Sequence, residues 1–216
     1  MSTIIERINK IKLNITSVKP IQKVNIIAIS KTFSLDHINP LIEYGHKHFG
    51  ENKVQEATTK WSEIVKENKN IKLHMVGKLQ SNKAKDAVRI FDYIHSLDNK
   101  KLADALAKHQ MNLKKNLDYF IQINIENEIQ KSGIPIGELD SFYNYCKYEI
   151  NLNVIGLMVI PPNDNNPIKY FKLMSELNKS LALKDLSMGM SADYIEAIKH
   201  GATFIRVGSS IFGERS

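Results

Sequence analysis

The sequence predicts a single (β/α)8 barrel of the TIM type that carries one extra helix at its amino terminus. Eight short apolar stretches, rich in Ile and Val, alternate with amphipathic segments along 216 residues. Such alternation indicates parallel strands joined by right-handed crossovers, and eight repeats of this length are typical of a compact closed barrel. We therefore expect residues 1–216 to form one domain, with a doubly wound open sheet as the alternative fold.

The first half of the chain provides four strand–helix pairs after the amino-terminal helix. Residues 3–17 place isoleucines four, three and four positions apart, which is the apolar face of a helix. The first strand ends at Ser30 and Lys31, and the helix after it stops at Gly45, a common helix terminator. These elements are a strand at 24–29, a helix at 34–44, a strand at 46–49, a helix at 52–67, a strand at 71–76, a helix capped by Ser81, a strand at 91–95 and a helix capped by Asp98.

The second half repeats the pattern with one longer connection. The polar loop 124–133 is longer than the other loops, which makes it a candidate functional segment. Cys146 falls on the apolar stripe of the next helix and is expected in the core. The elements are a strand at 117–123, the helix with Cys146, a strand at 153–158, a helix opened by Asn166 and Pro167, a strand at 184–187, a helix from Ser191 to Gly201, a strand at 203–207 and a terminal segment at 211–215.

Composition bounds the cellular setting. The chain has one cysteine, no apolar stretch of membrane-spanning length and no signal-peptide pattern, so we expect a cytoplasmic protein without membrane contact. The net charge of +7 comes from scattered lysines, and without a recognition motif it does not predict nucleic-acid binding. A monomer is the expected state.

Lys31 is the first candidate for chemistry, because it stands at the carboxyl end of the first strand. Parallel α/β folds collect their functional groups at this edge. Partial burial there favours the neutral amine, the form that attacks aldehydes. The alternative is a lysine that covers the edge of the sheet with its aliphatic stem.

Two serine- and glycine-containing loops, 187–191 and 206–210, predict a phosphate site. They follow the last two strands, where barrels often bind phosphate through backbone N–H groups. Two ordinary turns are the alternative. A phosphate site and a lysine together suggest pyridoxal 5′-phosphate (PLP), held as a Schiff base on Lys31. Arg206 could then face the pyridine nitrogen and keep it unprotonated, or it could form a salt bridge inside the barrel.

Eight segments in order across the chain resemble one known family. They are AISKT (28–32), HFGENKVQE (48–56), HMVGKLQSNK (74–83), IHSLD (94–98), KSGI (131–134), GLM (156–158), LSMGMSAD (186–193) and IRVGSSIFG (205–213). The chain resembles the pyridoxal phosphate homeostasis family, the YggS/PROSC-type proteins, which are related to the amino-terminal barrel of alanine racemase. The resemblance implies a PLP-binding protein of vitamin B6 and amino-acid homeostasis that performs no turnover, with PLP-dependent apoenzymes as candidate partners.

The resemblance also implies residue roles. Lys31 is the Schiff-base lysine, Arg206 faces the pyridine nitrogen, and Asn52, His74 and Met188 lie near the cofactor. The phosphate contacts come from Ser191 and from the backbone of Gly208 and Ser209. Lys131 matches a family lysine that is implicated in cofactor handling. The sequence departs from the family at Phe33, Lys53 and Lys78, where a lysine, a tyrosine and a proline are usual.

A PLP-dependent amino-acid racemase is the alternative function. In alanine racemase the opposite base is a tyrosine from a second, β-rich domain, and this sequence ends directly after the eighth strand, so racemisation is not expected. Other sites are weaker still. His46, His48, His74 and His95 could suggest a metal site, but no carboxylate or cysteine pattern completes it.

Overall fold

The barrel is closed, as the sequence predicts. The computed structural model describes residues 3–126, 132–162 and 166–214. Eight parallel strands pair in the order β1-β2-β3-β4-β5-β7-β8-β9, and β9 pairs back with β1. The short β6 adds a parallel pairing to the end of β5. The strands are β1 (Asn25–Ile29), β2 (His48–Glu51), β3 (Lys72–Met75), β4 (Tyr93–Leu97), β5 (Asp118–Asn124), β6 (Ile134–Pro135), β7 (Asn153–Met158), β8 (Asp185–Met190) and β9 (Phe204–Val207).

Helices cover the outside of the barrel. They are α1 (Thr3–Ser17), α2 (Leu35–Glu43), α3 (Val54–Glu67), α4 (Ala84–Ile90), α5 (Lys100–Leu113), α6 (Leu139–Asn144), α7 (Pro167–Ser180), α8 (Tyr194–Lys199) and α9 (Ser209–Phe212). The extra helix α1 packs against α2, α8 and α9 through its row of buried isoleucines. Among the described residues, no helix combines the length and the apolar character needed to cross a lipid bilayer.

Three predicted helix caps are wrong, and each error has a local cause. Ser81 lies inside a 3-10 turn, Ser81–Lys83, that precedes α4. Asn99, one residue after Asp98, caps α5 by accepting a hydrogen bond from the Leu102 amide at 2.9 Å. Ser191 lies in a turn ahead of α8, whose N-cap is Asp193. In each case several polar residues are adjacent, and the cap depends on backbone angles that the sequence pattern does not fix.

Strand boundaries shift where the carboxyl ends carry polar residues. The fourth strand was expected at 91–95 and lies at Tyr93–Leu97, while the seventh predicted strand extends to Met190. The two-residue β6 was not predicted, because pairing of Ile134 with Ile123 is a long-range contact. These shifts matter for the site, since they carry regular backbone further toward the barrel mouth.

Two apolar layers hold the fold together. The outer layer lies between strands and helices and includes Ile8, Leu41, Trp61 and the predicted core residue Cys146, all fully buried. The inner layer fills the barrel and is a small cluster of Ile27, Phe120, Met158 and Phe204. Residues alternate between the two layers along each strand, so the inner face determines what reaches the mouth of the barrel.

Candidate functional site

Lys31 lies at the carboxyl end of β1, in a turn with an unusual backbone. The next residue, Thr32, has φ of +69°, a left-handed conformation that is unfavourable for a β-branched side chain. The Thr32 amide donates to Glu56 Oε1 at 2.6 Å, which holds this conformation in place. Burial alone would raise the pKa of Glu56, but the hydrogen bonds from Thr32 and Lys60 lower it overall.

A buried ionic cluster supports the same turn from below. Glu51 Oε1, at the end of β2, accepts from Ser30 Oγ at 2.8 Å, from Lys60 Nζ at 3.0 Å and from Trp61 Nε1 at 3.0 Å. Lys60 also donates to the Ser30 carbonyl at 2.9 Å. Helix α3 thus grips the residue directly before Lys31, and the lysine stem leaves the strand from a fixed backbone position.

Arg206 lies inside the barrel on β9, the strand beside β1. Its Cα pairs with that of Ile27, four residues before Lys31. Nη1 donates to Ser187 Oγ and Nη2 to the Val159 carbonyl, both at 2.8 Å. Burial lowers the pKa of Arg206 to about 10, so the guanidinium stays charged at neutral pH. Within the described chain Arg206 forms no salt bridge, so its charge is held by neutral acceptors.

The two serine loops meet at the mouth, next to the end of β1. Ser209 Oγ donates to Ser191 Oγ at 3.3 Å, so the loops after β8 and β9 are in direct contact. A Cβ at Gly208 would lie 3.4 Å from Ile29 Cβ, which places this loop against β1. Gly189 has φ of +90°, and a Cβ there would come within 2.6 Å of Ala197. Only glycine permits the end of β8 to lie this close to α8.

Asn52 and Met188 occupy different environments. Asn52 lines a cavity of about 380 Å³ at the mouth, together with Lys78, Gln122 and Asn124. This cavity occupies the half of the mouth formed by β2, β3, β5 and β7, beside the half that carries Lys31 and the serine loops. The Met188 side chain belongs to the outer apolar layer, on the face of β8 opposite to Ser187. Any contact from Met188 to a ligand in the barrel would therefore use its backbone.

His74 is fully buried inside the barrel, and it belongs to a row of histidines that crosses the interior. His48 Nδ1 lies 2.9 Å from His74 Nε2, and His74 Nδ1 lies 2.9 Å from His95 Nε2. His95 Nδ1 lies 2.8 Å from Ser187 Oγ, which also receives the hydrogen bond from Arg206. The row thus extends from His48, at the amino end of β2, to Arg206 beneath the mouth.

The histidine row is neutral at physiological pH. Burial and the charges of neighbouring lysines lower the pKa of His48 to about 4. Burial holds the pKa of His74 and of His95 well below the usual range, and the charge of Arg206 acts in the same direction on His95. Within the part of the chain that the structure describes, no three metal-ligating side chains are grouped as a metal site. The histidines bind one another.

Sequence reasoning missed two groups at this site. Glu51 was noted only within the segment after the second strand, and Lys60 was given no role, although an acidic residue at the end of an apolar strand is a usable signal. His48 and His95 were noted only as possible metal ligands, and their spacing alone does not reveal that they face His74. Lys131 lies outside the described residues.

Comparison with known proteins places this barrel in a family. The sequence profile of the alanine racemase N-terminal domain matches residues 7–216. The pyridoxal phosphate homeostasis protein of Pasteurella multocida is 38% identical over 207 residues, which cover 91% of this chain and 89% of that protein. The protein of the same name from Aquifex aeolicus is 37% identical over 199 residues, covering 88% and 86% of the two chains.

Solved structures agree with the sequence comparison. PipY of Synechococcus elongatus, determined with PLP bound, has a TM-score of 0.87 and 32% identity, and the match covers 98% of this chain and 100% of PipY. An alanine racemase of Clostridium difficile has a TM-score of 0.74 at 11% identity, with 57% of its chain covered, and so shares the barrel fold. By profile, relatives and fold, the chain belongs to the pyridoxal phosphate homeostasis protein family, whose barrel is that of the alanine racemase N-terminal domain.

Proposed function

We propose that residues 1–216 form one PLP-binding barrel domain that holds the cofactor on Lys31 without catalytic turnover and serves PLP and amino-acid homeostasis. One observation carries the proposal. The neighbouring strands β8, β9 and β1 bring Ser191, Arg206, Ser209 and Lys31 to the same edge of the barrel. An amine, a cation beneath it and a pair of hydroxyl-bearing loops beside it are the groups that PLP requires.

The donor set fits a phosphorylated aromatic aldehyde. The loops 187–191 and 206–210 contain no acidic residue, so nothing in them repels an anion. The nearby carboxylate of Asp193 accepts a hydrogen bond from the Met190 amide at 2.6 Å. Arg206 has N–H groups beyond the two that bind Ser187 and Val159, and these can donate to a ring nitrogen but cannot accept from it.

Each residue has a defined task in this proposal. PLP supplies an aldehyde that condenses with a lysine amine. Lys31 provides that amine from a backbone fixed by Glu51 and Lys60. Ser191 and the backbone of Gly208 and Ser209 bind the phosphate. Arg206 donates to the ring nitrogen, while Asn52, His74 and the Met188 backbone line the remaining sides of the pocket.

The proposal that the protein performs no turnover rests on the relatives of this chain. Relatives that align along about nine-tenths of it are named for homeostasis, and PipY was determined with PLP bound. We further propose that the protein acts as a cytoplasmic monomer and that PLP-dependent apoenzymes receive the cofactor from it. Light scattering of the purified protein tests the monomer, and reconstitution of an apoenzyme from the PLP-loaded protein tests delivery.

The first experiment is an absorption spectrum of the protein mixed with PLP, before and after borohydride. We expect a band at about 420 nm, the usual position for PLP bound to a lysine, in the wild type and not in Lys31→Ala. Lys23→Ala, an exposed lysine before the opposite end of the same strand, is the matched control and should keep the band. Peptide mapping after reduction should locate the cofactor on Lys31.

The outcomes separate the alternatives. Without a band in the wild type, the pocket assignment fails, and the barrel binds some other phosphorylated ligand. With a band, a panel of amino acids follows: absence of turnover supports the homeostasis function, whereas racemisation would establish the enzyme instead.

A further inference from the structure

The row of histidines inside the barrel has a single polarity that the hydrogen-bond geometry determines. Ser187 Oγ is fully buried and has two hydrogen-bonding neighbours within the described chain, Arg206 Nη1 and His95 Nδ1. Arg206 can only donate. The hydroxyl hydrogen of Ser187 therefore has one acceptor available, and Ser187 donates to His95 Nδ1.

The remaining bonds follow from this first one. A neutral imidazole carries one N–H, so His95, which accepts at Nδ1, donates from Nε2 to His74 Nδ1. His74 then donates from Nε2 to His48 Nδ1. All three rings are thus assigned the Nε2–H form. The last N–H of the row, on His48 Nε2, has no hydrogen-bond partner among the described residues and lies at the half-buried amino end of β2.

The opposite polarity and a charged ring are both unfavourable here. If the bonds ran toward Ser187, its hydroxyl would accept from both neighbours, and its own hydrogen would lie buried without an acceptor, which is unfavourable. A charged His95 would stand beside the charged Arg206, and burial with that charge keeps its pKa well below the usual range. The neutral, Nε2-protonated row gives a partner to every fully buried group along it and ends in the one N–H, on His48 Nε2, that lies at the half-buried amino end of β2.

We propose that Ser187, His95, His74 and His48 form one polarised relay, through which protonation of His48 at the floor of the barrel reverses both inner rings and releases the Ser187 hydroxyl beside Arg206. A charged His48 must donate from Nδ1, where it previously accepted. His74 then accepts at Nε2 and carries its hydrogen on Nδ1, and His95 changes in the same way. In net terms each hydrogen moves one place toward His48: from His74 Nε2 to His48 Nδ1, from His95 Nε2 to His74 Nδ1, and from Ser187 Oγ to His95 Nδ1. The one proton taken up from water restores the Ser187 hydroxyl, so the row gains one proton and the added charge lies on His48.

The surroundings of His48 make it the member of the row that carries the added charge. It is faced by Lys23, Lys47, Lys72 and Asp92, and by the rings of Tyr93 and Phe204. His46 donates from Nε2 to the His48 carbonyl at 2.9 Å and so points away from the row. His74 and His95 are fully buried, so His48 is the member of the relay that is partly accessible to water. The inference concerns the protein without ligand and goes beyond the proposed PLP binding.

The test is a pH series of long-range proton–nitrogen spectra on the ligand-free, nitrogen-15-labelled protein. At neutral pH we expect the Nε2–H form for His48, His74 and His95. On acidification, His74 and His95 should change to the Nδ1–H form with the same midpoint as His48, although neither takes up a proton. In His48→Gln, the amide oxygen still accepts from His74 but does not titrate, so the neutral-pH pattern should remain and the acid change should be lost.

Ser96→Ala is the control, because Ser96 neighbours His95 on β4 and its buried hydroxyl has no partner in the described structure. It should reproduce the wild-type spectra. An Nδ1–H form of any of the three rings at neutral pH overturns the relay, even if the protein unfolds before His48 titrates. Separate midpoints for the three rings, or an acid change that persists in His48→Gln, also overturn it. Since PLP is absent throughout, failure of the relay and failure of PLP binding are distinct results.

Discussion

The inner and outer layers of this barrel bury comparable strand faces but use different chemistry. The outer layer is almost entirely aliphatic and aromatic, with Trp61 packed on Phe49 at 4.8 Å between ring centroids. The inner layer stacks histidines on aromatic rings, with His74 on Tyr93 and His95 on Phe120, both at 4.3 Å. The difference indicates that the outer layer supplies the stability that permits polar groups to be buried behind the site.

The outer layer contains a buried ionic cluster, and it lies under Lys31. The cluster of Glu51, Lys60, Ser30 and Trp61 joins α3 to the ends of β1 and β2. Ionic groups are thus buried where they fix the turn that carries the lysine. This placement links the two layers, because a change in the outer cluster should alter the site while a change elsewhere in the outer layer should alter stability alone.

The largest effect is expected in the outer layer. Trp61→Ala removes a side chain that is fully buried, and we expect it to lower the free energy of unfolding by about 4 kcal/mol, since the cavity cannot fully collapse. Denaturant unfolding followed by circular dichroism measures the loss. Leu13→Ala, on the exposed face of α1 at 70% exposure, is the control and should change stability by less than about 0.5 kcal/mol. Equal losses in both variants would refute the layered account.

Glu51→Gln should have the second-largest effect. It removes the charge that faces Lys60 in a buried pair, and we expect a loss of about 3 kcal/mol because the ammonium loses one of its counter-charges. Glu63→Gln breaks an exposed pair on the same helix and should cost less than about 0.5 kcal/mol. The Glu51 variant should also weaken PLP binding through the turn before Lys31, as an absorbance titration would measure. Unchanged binding would mean that the cluster only stabilises the fold.

The sequence predicted the outer layer better than the inner one, for a physical reason. The apolar face of each helix and strand can be read from the sequence, as in the isoleucines at helical spacing in residues 3–17 and in the apolar strand runs. The closed barrel and α1 were therefore predicted, and both are confirmed. Helix caps depend on backbone angles, so the sequence pattern could not determine whether Asp98 or Asn99 caps α5. Inward-facing residues such as His48 and Ser187 come from strands far apart in sequence, and their hydrogen bonds appear only once the barrel closes.

In the site, too, some residues could be located from the sequence and others could not. The sequence places Lys31 and the two serine loops at one edge of the barrel because each follows a recognisable strand, and topology brings such ends together. Ser187 was assigned both to the end of the seventh strand and to the start of the phosphate loop; it lies within β8, binds His95, and the strand runs three residues beyond its predicted end. Lys60 sits mid-helix with a pattern no different from a solvated lysine, so only packing identifies it.

The pH dependence of stability compares proton binding by the barrel's buried histidines in the folded and the unfolded states. Burial lowers the pKa of His46 and of His48 to about 4, so the unfolded state binds more protons than the folded state at mildly acidic pH. Stability should be unaffected by these groups above pH 6.5 and should fall as the pH drops from about 6.5 toward 4, by about 1 kcal/mol per histidine at about pH 5.5. His48→Gln should show a shallower decline by that amount. Parallel curves for the variant and the wild type would place His48 in a solvated environment.

The smallest effect tests whether the outer layer needs the polar groups that it contains. Ser96 follows His95 on β4 and, by alternation, its hydroxyl faces the helices, where it has no hydrogen-bond partner in the described structure. Ser96→Ala removes an unsatisfied buried group and should raise the free energy of unfolding by about 0.5 kcal/mol, because no bond is lost. Denaturant unfolding on the same scale as the Trp61 variant measures it. A loss of 1 kcal/mol or more would reveal a partner for this hydroxyl, and the outer layer would then share the polar organisation of the barrel interior.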